Sequence, residues 1–333
     1  MGRLSARVLL LNEEKLGLEL VHVNEKTGGS DTAAYLLEFD SVHGRFPMTC
    51  TTEGKDGFRV SSHNGTSKVI KYTNEADPAN IPWDHVDIVF ECTGAFLTRD
   101  AINKHLARSV KKVIVSAPVD EEGVLNVVVG CNEHLINTEM SIVTAASCTT
   151  NCAAPIVGAI DAALGIEMGS INTVHDVTPT QSIMDVANPG KKNDLRRARS
   201  GATNLAPTTT GSAKAISMIY PHLKGKLGGL AVRVPCQNSS LTDLVLVVKR
   251  DTTAEEVNAI LRAASVKNPA VLGYEDRPLV STDYVNDPRS SIVDALSIQV
   301  IAKRLVKIFS WYDNEWGYVN RMVDLAVGLA SKL

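Results

Sequence analysis

The sequence predicts an α/β chain in two parts: a doubly wound parallel sheet over residues 1–147, then an α+β part with a mostly antiparallel sheet over residues 148–315. Three observations carry this. Apolar runs at residues 86–92, 112–116 and 124–129 alternate with helical or loop segments, as strands of a parallel sheet covered on both faces do. Beyond the middle of the chain, strand-like segments at 170–175, 230–235, 241–249, 291–294 and 306–311 are interspersed with helices from residue 213 and over 253–264, which reads as an open sheet with helices on one face. The chain closes with an amphipathic helix, 316–333, whose stripe of Val319, Met322, Val323, Ala326 and Leu329 is expected to pack back on the first part.

Composition narrows the classes of function. Of 333 residues, 44% are hydrophobic and 21% charged, with no repeat and no low-complexity tract, so the chain is globular, with one large or two medium domains. A net charge of −3 gives no nucleic-acid-binding surface. The six cysteines (50, 92, 131, 148, 152 and 236) follow neither a zinc spacing nor a disulfide framework, so no metal is expected and free thiols in a cytoplasmic protein are. There is no recognisable signal peptide, and no apolar run is long enough for membrane insertion.

In chain order, residues 1–4 lead directly into a helical pattern (Leu4, Val8, Leu9), followed by a strand at 18–23 that ends in Asn24-Glu25. A helix, then a strand ending in an acidic residue, is the back half of a dinucleotide-binding βαβ unit of the Rossmann type. Its front half, an apolar strand and a Gly-rich turn, is not in the sequence. A sheet with a gap where its first strand belongs is therefore expected, with weak dinucleotide binding and low stability. A Gly-Gly-Ser loop and a helix at 32–39 come next, then a small antiparallel excursion around Phe58-Arg59-Val60 and 68–72. Two of the later strands end in small residues, Thr93-Gly94 and Ser116-Ala117-Pro118, suited to a cofactor across the strand ends or to plain turns. The long polar segment 176–206, with Pro189-Gly190, has the length of a functional loop. Glu255 and Glu256 follow Thr252-Thr253 as in a capped helix start.

The chemistry centres on Ser147-Cys148-Thr149-Thr150-Asn151-Cys152. The apolar, β-branched run 142–146 precedes it and a helical pattern (Ala153, Ile156, Val157, Ile160, Leu164) follows, so Cys148 stands where a strand turns into a helix. The unpaired N–H groups and partial positive charge of a helix N-terminus favour a thiolate, the form a cysteine nucleophile needs. Cys152, one turn on, reads as a core residue.

This stretch resembles the active-site signature of the phosphorylating glyceraldehyde-3-phosphate dehydrogenases. Further matches follow in order: Asp40-Ser-Val-His-Gly44, Thr173-Val-His175, Asp194-Leu-Arg-Arg-Ala-Arg199, Pro207-Thr-Thr-Thr-Gly211, Arg233-Val-Pro235 and Trp311-Tyr-Asp-Asn-Glu-Trp-Gly317. The resemblance implies a glycolytic type of reaction. Cys148 attacks an aldehyde, His175 acts as general base, hydride passes to NAD, and an inorganic anion releases an acyl phosphate from the resulting thioester. It implies a substrate-phosphate set of Thr178, Thr180 and Arg233, and an inorganic-anion set of Ser147, Thr149, Arg197, Thr210 and Gly211. For NAD it implies Gly2, Arg3, Thr93, Gly94, Ser116, Tyr318, Asn314 at the nicotinamide carboxamide, and Glu25 at the adenosine ribose. It also implies a homotetramer.

His22-Val-Asn-Glu25, His175-Asp-Val-Thr178 and 283–291 look like the subgroup encoded with arsenic-resistance genes. There arsenate replaces phosphate, and 1-arseno-3-phosphoglycerate passes to an exporter. Three other readings stand beside this: an erythrose-4-phosphate dehydrogenase, a Cys-His hydrolase or acyltransferase without NAD, and a binding protein on a decayed scaffold.

Overall fold

The structure is a computed structural model that describes residues 1–187 and 194–333. Pro189-Gly190 lies outside the described residues. Two units are present: Met1–Val127 with Glu133–Ala146 and Val319–Leu333, and Val128–Asn132 with Ser147–Tyr318.

The first unit opens with α1 (Gly2–Leu16), which Gly17 ends in the left-handed conformation, φ 64°. Then come β1 (His22–Asn24), α2 (Ser30–Glu38), β2 (Thr49–Thr52), β3 (Gly57–Ser61) and β4 (Ser67–Thr73). They form a four-stranded sheet in the order β1-β4-β3-β2, with β1 and β4 parallel and the rest antiparallel. Ala6 and Leu10 of α1 and Ala33, Ala34 and Leu37 of α2 pack with Phe58, Val60, Ile70 and Tyr72 in one core. β1 is shorter than the expected strand over 18–23 because the Leu20 N–H is committed to the Glu13 carboxylate, 2.8 Å away.

β5 (Ile88–Glu91), α3 (Arg99–Asn103), β6 (Lys112–Val115), β7 (Leu125–Asn126) and β8 (Ile142–Thr144) follow. These strands form a second four-stranded sheet, β5-β6-β8-β7, parallel throughout. The apolar runs that predicted it supply its core, with Val89, Val113, Val115, Val124 and Ile142 packed around Ile102 and Trp83. β7 covers two residues instead of 124–129, because the Val128 N–H turns away to the Asn132 side chain at 2.7 Å. Among the described residues no strand joins β1 to β5, so the doubly wound arrangement consists of two sheets.

The second unit contains α4 (Cys148–Leu164), β9 (Ile166–His175), β10 (Ala206–Thr209), α5 (Ser212–Ile219), β11 (Leu227–Arg233), β12 (Ser240–Val248), α6 (Ala254–Lys267), β13 (Leu272–Glu275), β14 (Ser291–Ile301) and β15 (Leu305–Tyr312). Its seven-stranded sheet runs β10-β11-β9-β12-β15-β14-β13, with β11/β9 and β13/β14 parallel and the other four pairs antiparallel. The alternation is clean on β12 and β15: Leu244, Leu246, Val306 and Ile308 are fully buried while their neighbours are half-buried. α4 lies against β9, β12, β14 and β15, and also against α5 and α6. A Cβ at Gly158 of α4 would come within 2.3 Å of the Tyr220 hydroxyl, so the close approach of Tyr220 beyond α5 requires glycine there. The final helix, α7, spans Trp316–Ala330, and Val319, Met322, Val323, Ala326 and Leu329 are all buried.

Candidate functional site

Cys148 is the first residue of α4. Ala146, with φ 54°, bends the chain from the strand direction into the helix, and the Ser147 hydroxyl caps α4 by accepting the Thr150 N–H at 3.1 Å. The Ser147 side chain is thereby occupied with the helix end. Cys148 is half-buried, and its Sγ lies 3.6 Å from His175 Nε2. Cys152 is fully buried, with Sγ facing the Ser291 hydroxyl and the Ser310 carbonyl; burial pushes its thiol up to about 11. The two cysteines of one helix are thus chemically distinct, as their positions in the sequence imply.

His175 is the last residue of β9 and is buried. Parallel pairing with β11 sets Arg233 directly opposite it in the ladder. The Arg233 Nη1 lies 2.6 Å from His175 Nδ1 and donates to the Asp176 carbonyl at 2.9 Å. Asp176 Oδ1 also lies 2.6 Å from Nδ1. Burial alone would lower the imidazolium, but the Asp176 carboxylate, and then the Cys148 sulfur, raise it to about 9. Burial lowers the Arg233 guanidinium, and Arg197 lowers it further.

The hydroxyls and the second guanidinium gather beside this pair. Thr178 and Thr180 share a hydrogen bond of 2.9 Å, Arg197 Nη1 donates to Thr180 at 2.9 Å, and Arg197 Nε donates to Thr208 at 3.1 Å. Arg197 therefore bridges to Thr180, a residue of the other expected anion set. Arg233 reaches His175 instead of the two threonines. Thr149 turns inward, 2.9 Å from the Tyr312 hydroxyl. Thr210 bonds the Ser212 hydroxyl at 2.9 Å, and Gly211 opens α5 with free space where a Cβ would stand.

Asn314 and Tyr318 are buried. The Ser240 hydroxyl spans 3.4 Å to Asn314 Oδ1 and 3.4 Å to Asp176 Oδ1, so the asparagine is tied to the same network as the histidine. Asp313 fixes the turn around it, accepting from Asn238 Nδ2 and from the backbone N–H groups of Asn286, Glu315 and Trp316 at 2.7–2.9 Å.

In the first unit, Glu25 follows β1, Thr93-Gly94 follow β5 and Ser116 follows β6, all at the carboxyl ends of parallel strands, where an open α/β sheet binds its ligand. Arg3 of α1, adjacent to Gly2, reaches to 3.8 Å from Glu25. A Cβ at Gly94 would meet nothing, and its φ of 66° turns the chain outward. A carboxylate for ribose hydroxyls and an open glycine turn are a donor set that fits NAD. The Thr93 N–H and hydroxyl both bond Glu91, which His105 Nε2 holds from the other side at 2.9 Å.

Sequence reasoning missed Asp176, Ser240, Tyr312, Glu91 and His105. The only available signal was adjacency: Asp176 follows His175, Glu91 precedes the Thr-Gly turn by two, and Tyr312 stands in the motif that begins at Trp311.

Comparison with known proteins gives the family. Residues 147–314 match the family described as glyceraldehyde 3-phosphate dehydrogenase, C-terminal domain, and residues 1–99 match its NAD binding domain. The chain is 53% identical to glyceraldehyde-3-phosphate dehydrogenase 3 of Nostoc sp. over 100% of this chain and 96% of that one. It is 44% identical to glyceraldehyde-3-phosphate dehydrogenase of Zymomonas mobilis over 100% and 96%, and 44% identical to glyceraldehyde-3-phosphate dehydrogenase 2 of Bacillus subtilis over 100% and 95%. With both halves matched and the likeness running the length of the chain, this protein belongs to the glyceraldehyde-3-phosphate dehydrogenase family.

Proposed function

We propose that the chain oxidises glyceraldehyde 3-phosphate with NAD through a thioester on Cys148, and that an inorganic anion then releases the acyl group. The observation that carries this reading is the thiol at the start of α4 with an imidazole nitrogen 3.6 Å away and two arginines beside it. His175 takes the Cys148 proton at Nε2. The sulfur then bonds the aldehyde carbon, and Nε2 returns its proton to the carbonyl oxygen, which becomes the hydroxyl of a hemithioacetal. His175 next accepts that hydroxyl proton while hydride departs, which leaves the thioester. NAD, when bound, supplies the hydride acceptor. Glu25, Arg3, Gly2, Thr93, Gly94 and Ser116 would hold its adenosine and phosphate parts, and Asn314, with Tyr318 beyond it, its nicotinamide end.

Thr178, Thr180, Arg197 and Arg233 would supply the charge and hydroxyl donors for the phosphate ester. For the attacking anion Thr210 would supply a hydroxyl, Gly211 a backbone N–H and Arg197, shared, the charge, while Ser147 and Thr149, engaged with Thr150 and Tyr312, would have to turn from those partners to join them. Phosphate gives 1,3-bisphosphoglycerate; arsenate, a near isostere, gives 1-arseno-3-phosphoglycerate. We assign NAD binding to residues 1–147 with the helix 316–333, and catalysis to 148–315. The sheet face opposite α4, α5 and α6 leaves Met168, Val174 and Leu230 exposed, which supports a homotetramer. A solution mass of one chain would refute it. Six free cysteines support a cytoplasmic location, and among the described residues no helix is long and apolar enough to cross a membrane.

The test is NADH formation measured side by side with glyceraldehyde 3-phosphate and erythrose 4-phosphate, with phosphate and then arsenate. A higher kcat/KM for glyceraldehyde 3-phosphate, together with dependence on the anion, is expected. NADH formation absent with both aldehydes contradicts the proposal.

A further inference from the structure

Asp176 has no role in the reaction as derived so far, yet it is the most confined carboxylate near it. Its side chain is 1% exposed, Oδ1 lies 2.6 Å from His175 Nδ1, and Oδ2 is buried without a hydrogen-bond partner. The backbone fixes its place, because the Asp176 N–H donates to the Ser240 hydroxyl at 3.2 Å and its carbonyl accepts from Arg233 at 2.9 Å. A carboxylate kept dry in this way is costly unless a positive charge faces it.

The elements packed around His175 set its surroundings, β12 with the neutral Ser240 hydroxyl on Asp176 and the others as follows. α4 brings Cys148 at Nε2. β11 brings Arg233, 2.6 Å from Nδ1, with Arg197 close enough to repel it. β15 brings Tyr312, edge-on to the ring at 6.2 Å with its hydroxyl on Thr149. Among the described residues Asp176 is the carboxylate at the ring. Nδ1 thus has three neighbours: the Arg233 guanidinium, the Asp176 carboxylate and, at 3.0 Å, the Asp176 carbonyl oxygen. When His175 is neutral, Nδ1 can accept from Arg233. When Nε2 has taken a proton, Nδ1 carries a hydrogen and faces the oxygens of Asp176, the carboxylate at 2.6 Å being nearer than the backbone carbonyl at 3.0 Å.

We propose that Asp176 is a positioning residue for His175: its buried carboxylate holds the ring from the Nδ1 side and stabilises the positive charge acquired at Nε2, so that thiol, imidazole and carboxylate act as one unit. This rests on the reading of Cys148 as nucleophile and His175 as base. The proton that leaves Sγ stops at Nε2 and is not passed on to Asp176, as with the orienting carboxylate of a nucleophile-base-acid arrangement. Without Asp176, burial and the Arg233 guanidinium would be offset by the Cys148 sulfur alone, which shifts the ring toward its neutral form. The raised affinity of His175 for its proton agrees with this, Asp176 being the strongest of the groups that raise it.

The test follows the His175 proton directly, by NMR of the full chain carrying isotope-labelled histidine, without cofactor or substrate. Loss of the signal in His175→Asn identifies the resonance. A midpoint near 9 is expected in the native chain. In Asp176→Asn it is expected to fall by about one unit or more, which reduces the ratio of imidazolium to imidazole at pH 8 by about tenfold. The upper limb of the pH profile of Cys148 alkylation by iodoacetamide is expected to fall with it, and Asp176→Glu to restore part of the shift. KM for the aldehyde is expected to stay within about twofold, because Asp176 reaches the reaction only through His175. A native midpoint at or below 6.5, or an unchanged midpoint in Asp176→Asn, overturns the proposal, and the first result needs no variant to fold. If Cys148→Ser retains NADH formation, the underlying reading fails. If Cys148→Ser is inactive while Asp176→Asn titrates as the native chain does, only the role of Asp176 fails.

Discussion

Cys148 and His175 illustrate what a single residue reveals before folding. A cysteine between an apolar strand and a helical pattern has a chemical environment set by local backbone alone, and the structure places it at the first position of α4. His175 needed the resemblance, because a histidine at a strand end has no local signal of its own. Asp176 and Tyr312 stand inside motifs without their contacts being legible, and Ser240 carries no signal at all: Ser240 meets Asp176 across 64 residues, and Tyr312 meets Thr149 across 163. Such contacts follow from strand register, which residue type does not encode. His175→Asn should lower kcat by about 10²–10⁴-fold, the usual contribution of a general base. The native far-ultraviolet circular dichroism should be retained, and the loss is measured by steady-state NADH formation.

Elements were legible where pattern and partner agree. β12 lies between β9 and β15, and both β12 and β15 were anticipated close to their observed limits. β10 and β13 were not anticipated. Both are four-residue edge strands, one carrying Pro207 and the other Gly273, residues that read as strand breakers and that edges tolerate. β14 continues to Ile301, beyond the expected end at 294, because a register irregularity between Asp294 and Gln299 interrupts the alternation without ending the strand. α6 supplies a prediction free of the active site. Thr253 caps it by accepting the Glu256 N–H at 3.2 Å. Thr253→Ala should cost about 1 kcal/mol of stability, measured by urea denaturation, with kcat unchanged.

At the scale of the whole molecule, two histidines shifted in opposite directions bracket its stability. His22 is buried against Trp83, bonded through Nε2 to the Thr73 hydroxyl, and burial, with Lys71 adding to it, lowers it to about 4. The unfolded chain therefore binds a proton at this position between about pH 6.5 and 4 that the folded chain does not. The corresponding stability is fully present above 6.5 and is lost as the pH falls toward 4. His175, raised to about 9, contributes stability that is full below 6.5 and is lost as the pH rises through 9. Thermal unfolding across pH 4–9 should show a maximum near neutrality, and His22→Gln should flatten the acid side. An acid limb unchanged in that variant would assign the effect to other groups.

The central claim is that Cys148 carries the acyl group between oxidation and release, and the thioester itself is the most direct object to measure. The chain is mixed with NAD and glyceraldehyde 3-phosphate in the absence of phosphate and arsenate, quenched in acid, and analysed by mass spectrometry of its peptides. A 3-phosphoglyceroyl adduct is expected on the peptide containing Cys148, removed on addition of phosphate and absent in Cys148→Ser. Rapid NADH formation with no adduct at Cys148, or with the adduct at another cysteine, would contradict it.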